Sequence, residues 1–244
     1  KQILIEEFLD GEEMSYFIVT DGKNYKFFGS AQDHKRVGEG DTGKNTGGMG
    51  CYSPSRLLSD NLELKIKKKI IEPTLNAIDE YGGVYKGFLY IGLMIKDDSP
   101  FLIEFNVRMG DPECQTILPT LNTDLFDVLI SCCDGTLNQT SIDFSESKSI
   151  CIVLCSKGYP EKFENNIEIK DLEQIKLLKN QNIFHAGTLK TVNGLVSNGG
   201  RVLNFVSTSD DFLKCRDDVI NLIKKLNWKN GFFRADIGHK VIKI

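Results

Sequence analysis

After Phe101, Leu102 and Ile103, polar and apolar residues alternate through the start of FLIEFNVRMGDPECQ, residues 101–115. A period of two fits a β-strand and no helix, because alternate strand residues share a face about 6–7 Å apart. Glu104, Asn106 and Arg108 therefore line one face, while Phe105 and Val107 point the other way into a core. Any fold this chain adopts must mount an acid, an amide and a guanidinium together on a strand whose back is buried.

The same reasoning extends along the chain. Strands are expected at Ile3–Phe8, Met14–Thr20 and Tyr25–Phe28, with turns at Asp10-Gly11 and Asp21-Gly22. From Ser30 to Ser55 periodicity disappears and glycine becomes dense, at 38, 40, 43, 47, 48 and 50. Leu62–Tyr81 has helical spacing, interrupted or kinked at Pro73 and ended by Gly82-Gly83. Strands Gly87–Ile95 and Phe101–Val107 flank a turn at Asp97–Pro100, and a helix over Leu121–Cys132 stops at Asp134-Gly135. Residues 136–147 are polar and poor in hydrophobes, which places a boundary there. Beyond it come an apolar strand, Ser149–Ser156, and a helix at Asp171–Lys179. Strands at Ile183–Leu189 and Leu195–Val206 follow, then a helix whose stripe runs from Phe212 to Leu226. Ser209 is the expected N-cap of that helix, and a last strand spans Phe232–Ile237. Mixed elements on both sides of the boundary predict α+β or α/β layers.

Charge and cysteine usage narrow the function. A net charge of −4 offers no basic face for nucleic acid. No apolar run approaches the roughly 18–20 residues of a membrane helix. Lys65, Lys67, Lys68 and Lys69 read as a solvated helix face. Seven scattered cysteines, an odd count without CxxC spacing, predict reduced thiols and a cytoplasmic setting. The opening KQILIEEFLDG starts in mid-strand without Met, as if continuing a longer protein.

The polar strand is explained by a metal and a polyphosphate. Magnesium takes hard oxygen donors and commonly only one or two protein groups beside phosphate oxygens. Glu104 supplies a charged oxygen and Asn106 a neutral one, and Arg108 is a fork suited to phosphate or carboxylate. GDPE, residues 110–113, adds Asp111 and Glu113 beside them. The loop AQDHKRVGEGDTGKNTGGMG, residues 31–50, brings donors and positive charge at Gln32–Arg36, and its glycines let amides approach an anion. It is not a Walker loop, since GKS or GKT is missing. Lys35 and Arg36 favour a neutral His34 in a phosphate-contact role. Backbone around Glu6–Leu9 could meet an adenine edge, with Glu12 or Glu13 on a ribose. Each motif also has a plain structural reading: a solvated strand face, a capped turn, a flexible loop, an edge strand.

IEEFLDGEE, AQDHKRVGEGDTGKNTGGMG, IEFNVRMGDPE, HAGTLK, GGRVL and FFRADIG, in this order, together resemble one family, the phosphoribosylamine–glycine ligases of the ATP-grasp superfamily. The resemblance implies the C-terminal portion of an ATP-grasp domain over residues 1–140 and a smaller mixed α/β domain over 148–244. The flexible lid and N-terminal domain of such ligases lie outside this sequence. It implies ATP-dependent ligation of glycine to phosphoribosylamine through an acyl phosphate, with ATP as co-substrate and Mg2+ or Mn2+ held by Glu104 and Asn106. Arg108 and Asp111 take catalytic positions. Glu6, Glu7, Phe8, Leu9 and Glu13 match the nucleotide-binding region, and Asp33, His34, Lys35, Arg36, Thr46, Gly47, Gly48, Met49, Gly50 and Arg108 the substrate-binding surface. Many ATP-grasp enzymes carry a second metal carboxylate where this chain has Gly92, so no third protein ligand is expected. His185, Arg201, Arg234 and Asp236 either close the site or are structural. A cytoplasmic monomer with small-molecule substrates, and neither nucleic acid nor membrane, is implied. Another ATP-grasp carboxylate–amine ligase, or an inactive fragment, are the alternatives.

Overall fold

The structure, a computed structural model, describes residues 3, 5–226 and 228–242. Strands β1 (Glu12–Thr20) and β2 (Tyr25–Asp33) form an antiparallel hairpin. Its turn is an Asx turn, in which Asp21 Oδ1 accepts from the amides of Lys23 at 2.9 Å and Asn24 at 2.7 Å. From Met14 onward β1 is buried on both faces, so it reads as a continuous apolar run. Tyr16 and Ile18 join one core, and Phe17 and Val19 another.

The stretch from Ser30 to Ser55, expected to be irregular, contains more strand than its sequence suggests. β2 runs on to Asp33, β3 (Arg36–Gly38) pairs with β4 (Thr42–Asn45), and β5 (Gly50–Ser53) joins the main sheet. These three strands are four residues or fewer, too short to show a period of two.

Helix α1 (Asp60–Ile66), capped by Ser59 Oγ on the Leu62 amide, continues through a π-helical turn, Lys67–Ile71, into α2 (Glu72–Glu80). The wide turn falls where Pro73 removes an amide donor, in place of the expected kink. β6 (Gly87–Lys96) and β7 (Ser99–Asn106) follow, joined by Asp97 and Asp98 at positive φ. Then come α3 (Glu113–Ile117) and α4 (Leu125–Asp134), capped by Asp124 and ended by Gly135 at φ +74°. The expected start of α4 at Leu121 is four residues early, because Leu121 is extended after a 3-10 turn, Leu118–Thr120, and bridges Phe144.

Beyond the polar segment lie β8 (Lys148–Ser156), β9 (Gln181–His185), β10 (Thr188–Thr191), β11 (Gly194–Ser197), β12 (Arg201–Ser209), α5 (Phe212–Lys225) and β13 (Gly231–Phe232). The helix expected at Asp171–Lys179 is only a 3-10 turn, Leu172–Gln174, entered from Asp171 in the left-handed region at φ 60°. Ser209 is the last residue of β12, paired with Lys148, and the N-cap of α5 is Asp211, which accepts from the Lys214 amide. The final strand shrinks to two residues. Where a strand was expected at Ile3–Phe8, residues 5–8 have none and Ile5 and Phe8 are 90% and 86% exposed; Leu4 lies outside the described residues.

The main sheet has the order β7-β6-β1-β2-β5-β8-β12-β9, with β13 also on β8. β5 and β8 pair directly, Cys51 opposite Cys151, so the segments before and after residues 136–147 share one sheet. All seven cysteines are free thiols, five of them buried. One core packs α1 and α2 against β1 and β6, a second lies under α4, and a third, the largest, packs α5 on β8 and β12. No described helix is long and apolar enough to cross a membrane.

Candidate active site

β7 is one edge strand of the main sheet, and in its register Glu104 lies opposite Gly92 and Asn106 opposite Tyr90. A Cβ on Gly92 would come within 3.1 Å of Glu104 Cγ and 3.2 Å of Tyr90 Cε1, so the glycine leaves room for the carboxylate beside the ring. Asn106 Nδ2 donates to Glu104 Oε1 at 2.9 Å, which locks the two side chains together on one face as the alternation predicts. That bond leaves the amide oxygen and the second carboxylate oxygen without a partner between the two residues. Two hard oxygens of this kind suit a divalent ion whose remaining ligands are phosphate oxygens. Among the described residues, no group of three His, Cys, Asp or Glu side chains could hold a metal alone. Arg108 sits on the bend just past the strand, exposed, its Nη1 on the Met109 carbonyl at 2.9 Å.

Glu104 lines a narrow recess with Glu13, Asp33, Lys35, Tyr90 and Ile103. Lys35 Nζ pairs with Glu13 Oε2 at 2.7 Å. Burial works against the Lys35 charge, yet Glu13 overrides it and holds the ammonium protonated well above its ordinary range. Beneath the recess two acids approach each other. Burial pushes the Asp33 carboxyl well up, and the Glu113 charge adds to it. Glu113, in the first turn of α3 and almost fully buried, is raised by burial and accepts from Ser15 Oγ at 2.9 Å. Two like charges so close resist ionising together. Asp33 Oδ1 and Asp111 Oδ1 are buried without a hydrogen-bond partner. Gly48, at φ +117°, lies against Asp33, and a Cβ there would fall 2.8 Å from both Asp33 Oδ1 and Pro112 Cδ. The glycine loop, the end of β2 and the GDPE turn thus meet at one point.

The loop's amides are not open donors. Thr46 N bonds the Lys35 carbonyl at 2.7 Å, Gly47 N the Tyr159 hydroxyl at 2.9 Å, Gly48 N Thr46 Oγ1 at 3.0 Å and Met49 N the His34 carbonyl at 2.8 Å. Gly50 pairs within the sheet opposite Ile152. Any anion here meets side-chain charge, from Lys35, Arg108 and Arg201, before it meets a backbone nest.

Residues 1–114 match the sequence model of the phosphoribosylglycinamide synthetase ATP-grasp (A) domain, and residues 149–240 match that of its C domain. The chain belongs to this family of phosphoribosylamine–glycine ligases. It is 44% identical to the chloroplastic phosphoribosylamine–glycine ligase of Arabidopsis thaliana, over 99% of this chain and 46% of that one. The ligase of Brucella melitensis is 40% identical, over 99% of this chain and 57% of that one. Among solved structures, the ligase of Thermotoga maritima superposes with a TM-score of 0.83 at 33% identity, covering 95% of this chain and 56% of that one. The chain spans about half the length of the curated relatives it matches, and its fold is the ATP-grasp type.

Within the ligase fold the remaining expected residues lie apart. His34 is buried, its Nε2 accepting from Gly238 N at 3.2 Å and its ring against Tyr52 and His239. Met49 is core, with its sulfur 3.8 Å from Cys155 Sγ. Arg36 is exposed on β3, with Nη1 on the Gly43 carbonyl at 2.9 Å. Glu6, Glu7 and Phe8 are exposed, Leu9 is half-buried, and none of the four lines the recess. Of the four residues whose role was open, Arg201 reaches the site, whereas Arg234 and Asp236 bind the β3–β4 hairpin. His185, at the end of β9, contacts Thr188 at the start of β10. Sequence reasoning left Ser15, Tyr90, Ile103 and Tyr159 out of the site. The first three lie on β1, β6 and β7, which come together through the pairing of β1 with β6, and no local pattern announces that pairing.

The buried imidazole has a consequence for stability. Burial, helped by nearby Arg234, pushes His34 down to about 4 from 6.5. Between those values the unfolded chain takes a proton that the folded chain refuses, so stability is lost as pH falls from about 6.5 toward 4, by on the order of 3 kcal/mol. Asp33 and Glu113, raised, act in the opposite sense. Comparing urea unfolding of wild type and His34→Gln at pH 7 and pH 4.5 isolates the histidine. The wild type is expected to lose more stability than the variant on acidification, and equal losses would refute the assignment.

Proposed function

We propose that this chain carries the metal- and substrate-binding part of an ATP-dependent ligase that joins glycine to 5-phosphoribosylamine. The products are glycinamide ribonucleotide, ADP and phosphate, in purine biosynthesis. Residues 1–140 form the ATP-grasp portion and 148–244 the C-terminal unit. The observation that carries the reading is the paired carboxylate and amide of Glu104 and Asn106 on one face of an ATP-grasp strand, with Glu104 lining the same recess as Lys35. Glu104 and Asn106 would hold Mg2+, or Mn2+ in its place. Such an ion, when bound, neutralises and orients phosphate oxygens.

In this scheme the glycine carboxylate attacks the γ-phosphate of ATP, forming glycyl phosphate and releasing ADP. The amine of phosphoribosylamine then attacks the acyl carbon, forming the amide and releasing phosphate. Arg108 is placed to hold an anionic oxygen of the transferring group. Asp111, on the turn beside it, and Asp33, below it, face the amine that must lose a proton. Asp111 would take that proton, and Asp33, whose carboxyl burial pushes up, would hold the amine by a hydrogen bond. Lys35 and Arg36 complete the substrate surface, and Thr46, Gly47, Gly48 and Gly50 shape it. His34 and Met49 support it from behind. Nucleotide contacts fall to Glu6, Glu7, Phe8, Leu9 and Glu13. The protein acts on small molecules as a cytoplasmic monomer.

The complete protein, purified and supplied with ATP and magnesium, is expected to form ADP only when glycine and phosphoribosylamine are both present. ADP release that ignores glycine, or that follows another amino acid instead, would point to a different ligase.

A further inference from the structure

The peptide of Gly47 is held at both ends by side chains from the other half of the chain. Its N–H donates to the Tyr159 hydroxyl at 2.9 Å, and its carbonyl accepts from Arg201 Nη1 at 2.7 Å. Arg201 Nη1 also donates to the Asp111 carbonyl at 2.6 Å and lies 3.5 Å from its carboxylate. One guanidinium therefore joins the glycine loop to the GDPE turn. Two glycines make the grip possible. A Cβ on Gly47 would sit 3.0 Å from Arg201 Cζ, and one on Gly200 would sit 2.1 Å from Tyr159 Cδ2. The base is itself braced, because Ser156 donates from its amide to the Gly200 carbonyl and from its hydroxyl to the Gly199 carbonyl.

We propose that Tyr159 and Arg201 are positioning residues for the ligation, gripping the Gly47 peptide so that the glycine loop is fixed over Asp33 and Asp111. The proposal rests on the functional reading above for its activity readout, although not for its structural one. Gly48 follows the gripped peptide and already touches Asp33, so a displacement of Gly47 passes directly to the acid. The loop's backbone bonds here, Thr46 to the Lys35 carbonyl and Met49 to the His34 carbonyl, lie on either side of Gly47, whose own amide and carbonyl are held by the two side chains. The C-terminal unit thus acts as a brace that sets substrate geometry from the far strands of the shared sheet, and a misplacement of an ångström or less is enough to slow an oriented reaction.

Two conservative variants of the full-length enzyme test this. Tyr159→Phe keeps the ring on Gly200 and removes only the acceptor, and Arg201→Lys keeps the charge and removes the fork. Each is expected to lower kcat/KM for glycine and phosphoribosylamine by about tenfold, while KM for ATP stays within about twofold. Amide hydrogen exchange is read on the same proteins. Faster exchange is expected at residues 46–49 in both variants, with β8 and β12 unchanged. Wild-type kinetics in both variants, or slowed turnover with unchanged exchange at 46–49, would overturn the proposal. Loss of exchange protection throughout β8 and β12 would do so as well, as it marks a merely structural role. Should the wild-type enzyme show no ligation, the functional reading fails, and exchange at 46–49 alone then decides whether the grip exists.

Discussion

Replacing Arg234 by methionine is expected to lower the unfolding free energy by about 3 kcal/mol, the lower end of the range for breaking a buried ion pair. The guanidinium is 1% exposed. Its Nε and Nη2 grip both oxygens of Asp236, and Nη1 is shared between Asp41 Oδ1 and the Arg36 carbonyl. Asp236 in turn accepts from the Gly40 amide, and Glu39 from the Ala235 amide. Methionine fills the volume but takes the guanidinium from two carboxylates and a carbonyl, leaving Asp236 with the Gly40 amide and Asp41 with Lys240 at 3.5 Å. The lower end applies because Asp41 and Asp236 keep side-chain exposures of 31% and 20%, and water relieves part of the penalty. Acid should narrow the difference. Burial alone would raise Asp236, but Arg234 pulls it down to about 2, so its stabilisation is present above the unfolded value near 3.8 and is lost as pH falls through about 2. Urea unfolding at pH 7 and pH 3 checks both statements. A loss below about 1 kcal/mol at neutral pH would show that the hairpin is held by something else.

The legibility of the chain followed the range of the interactions. α5 was readable because it buries a regular stripe, and β1 and β6 because they are near-continuous apolar runs. β7 was readable from its alternation alone, since none of its residues is fully buried and Val107, expected in a core, is exposed. Asp171–Lys179 reads as a helix because Leu172, Ile175 and Leu178 fall at helical spacing, yet Asp171 enters at positive φ and the segment packs as a 3-10 turn. β3, β4 and β5 were invisible for the opposite reason. β5 exists through a partner distant in sequence, Cys151 for Cys51, and β3 and β4 pair only with each other in a hairpin too short to show a period. The site divides in the same way. Glu104 and Asn106 share a strand, so two-residue spacing places them on one face without any tertiary knowledge. Asp33, Glu113, Gly48 and Arg201 meet only because β2, α3 and β12 converge, and nothing local in the loop 31–50 says that His34 and Met49 turn inward while Lys35 turns to the recess. Dense glycine suggested a nest of free amides. The structure uses those glycines for close approach instead: Arg201 lies on Gly47, and Asp33 and Pro112 lie on Gly48.

Glu104→Gln in the complete enzyme is expected to cut kcat/KM at limiting magnesium on the order of a hundredfold or more, with the fold intact. The substitution is nearly isosteric, and a glutamine oxygen can still accept from Asn106 Nδ2, so the local geometry survives. Glu104 is exposed at a strand edge, where changes without packing consequences stay within about 0.5 kcal/mol of stability. What is removed is the charge of the only carboxylate in the proposed two-oxygen metal site, Gly92 offering nothing in its place. A hard cation loses more from that charge than from any change of shape. Raising magnesium should therefore recover part of the rate, and manganese should do so at lower concentration, because it binds nitrogen and oxygen donors of a given site no more weakly than magnesium does. If Glu104 were instead a solvated acid on an open sheet face, the same variant would titrate with magnesium like the wild type. An unchanged rate at limiting metal removes Glu104 from the site and with it the argument that the alternation of residues 101–108 encodes a metal-bound polyphosphate.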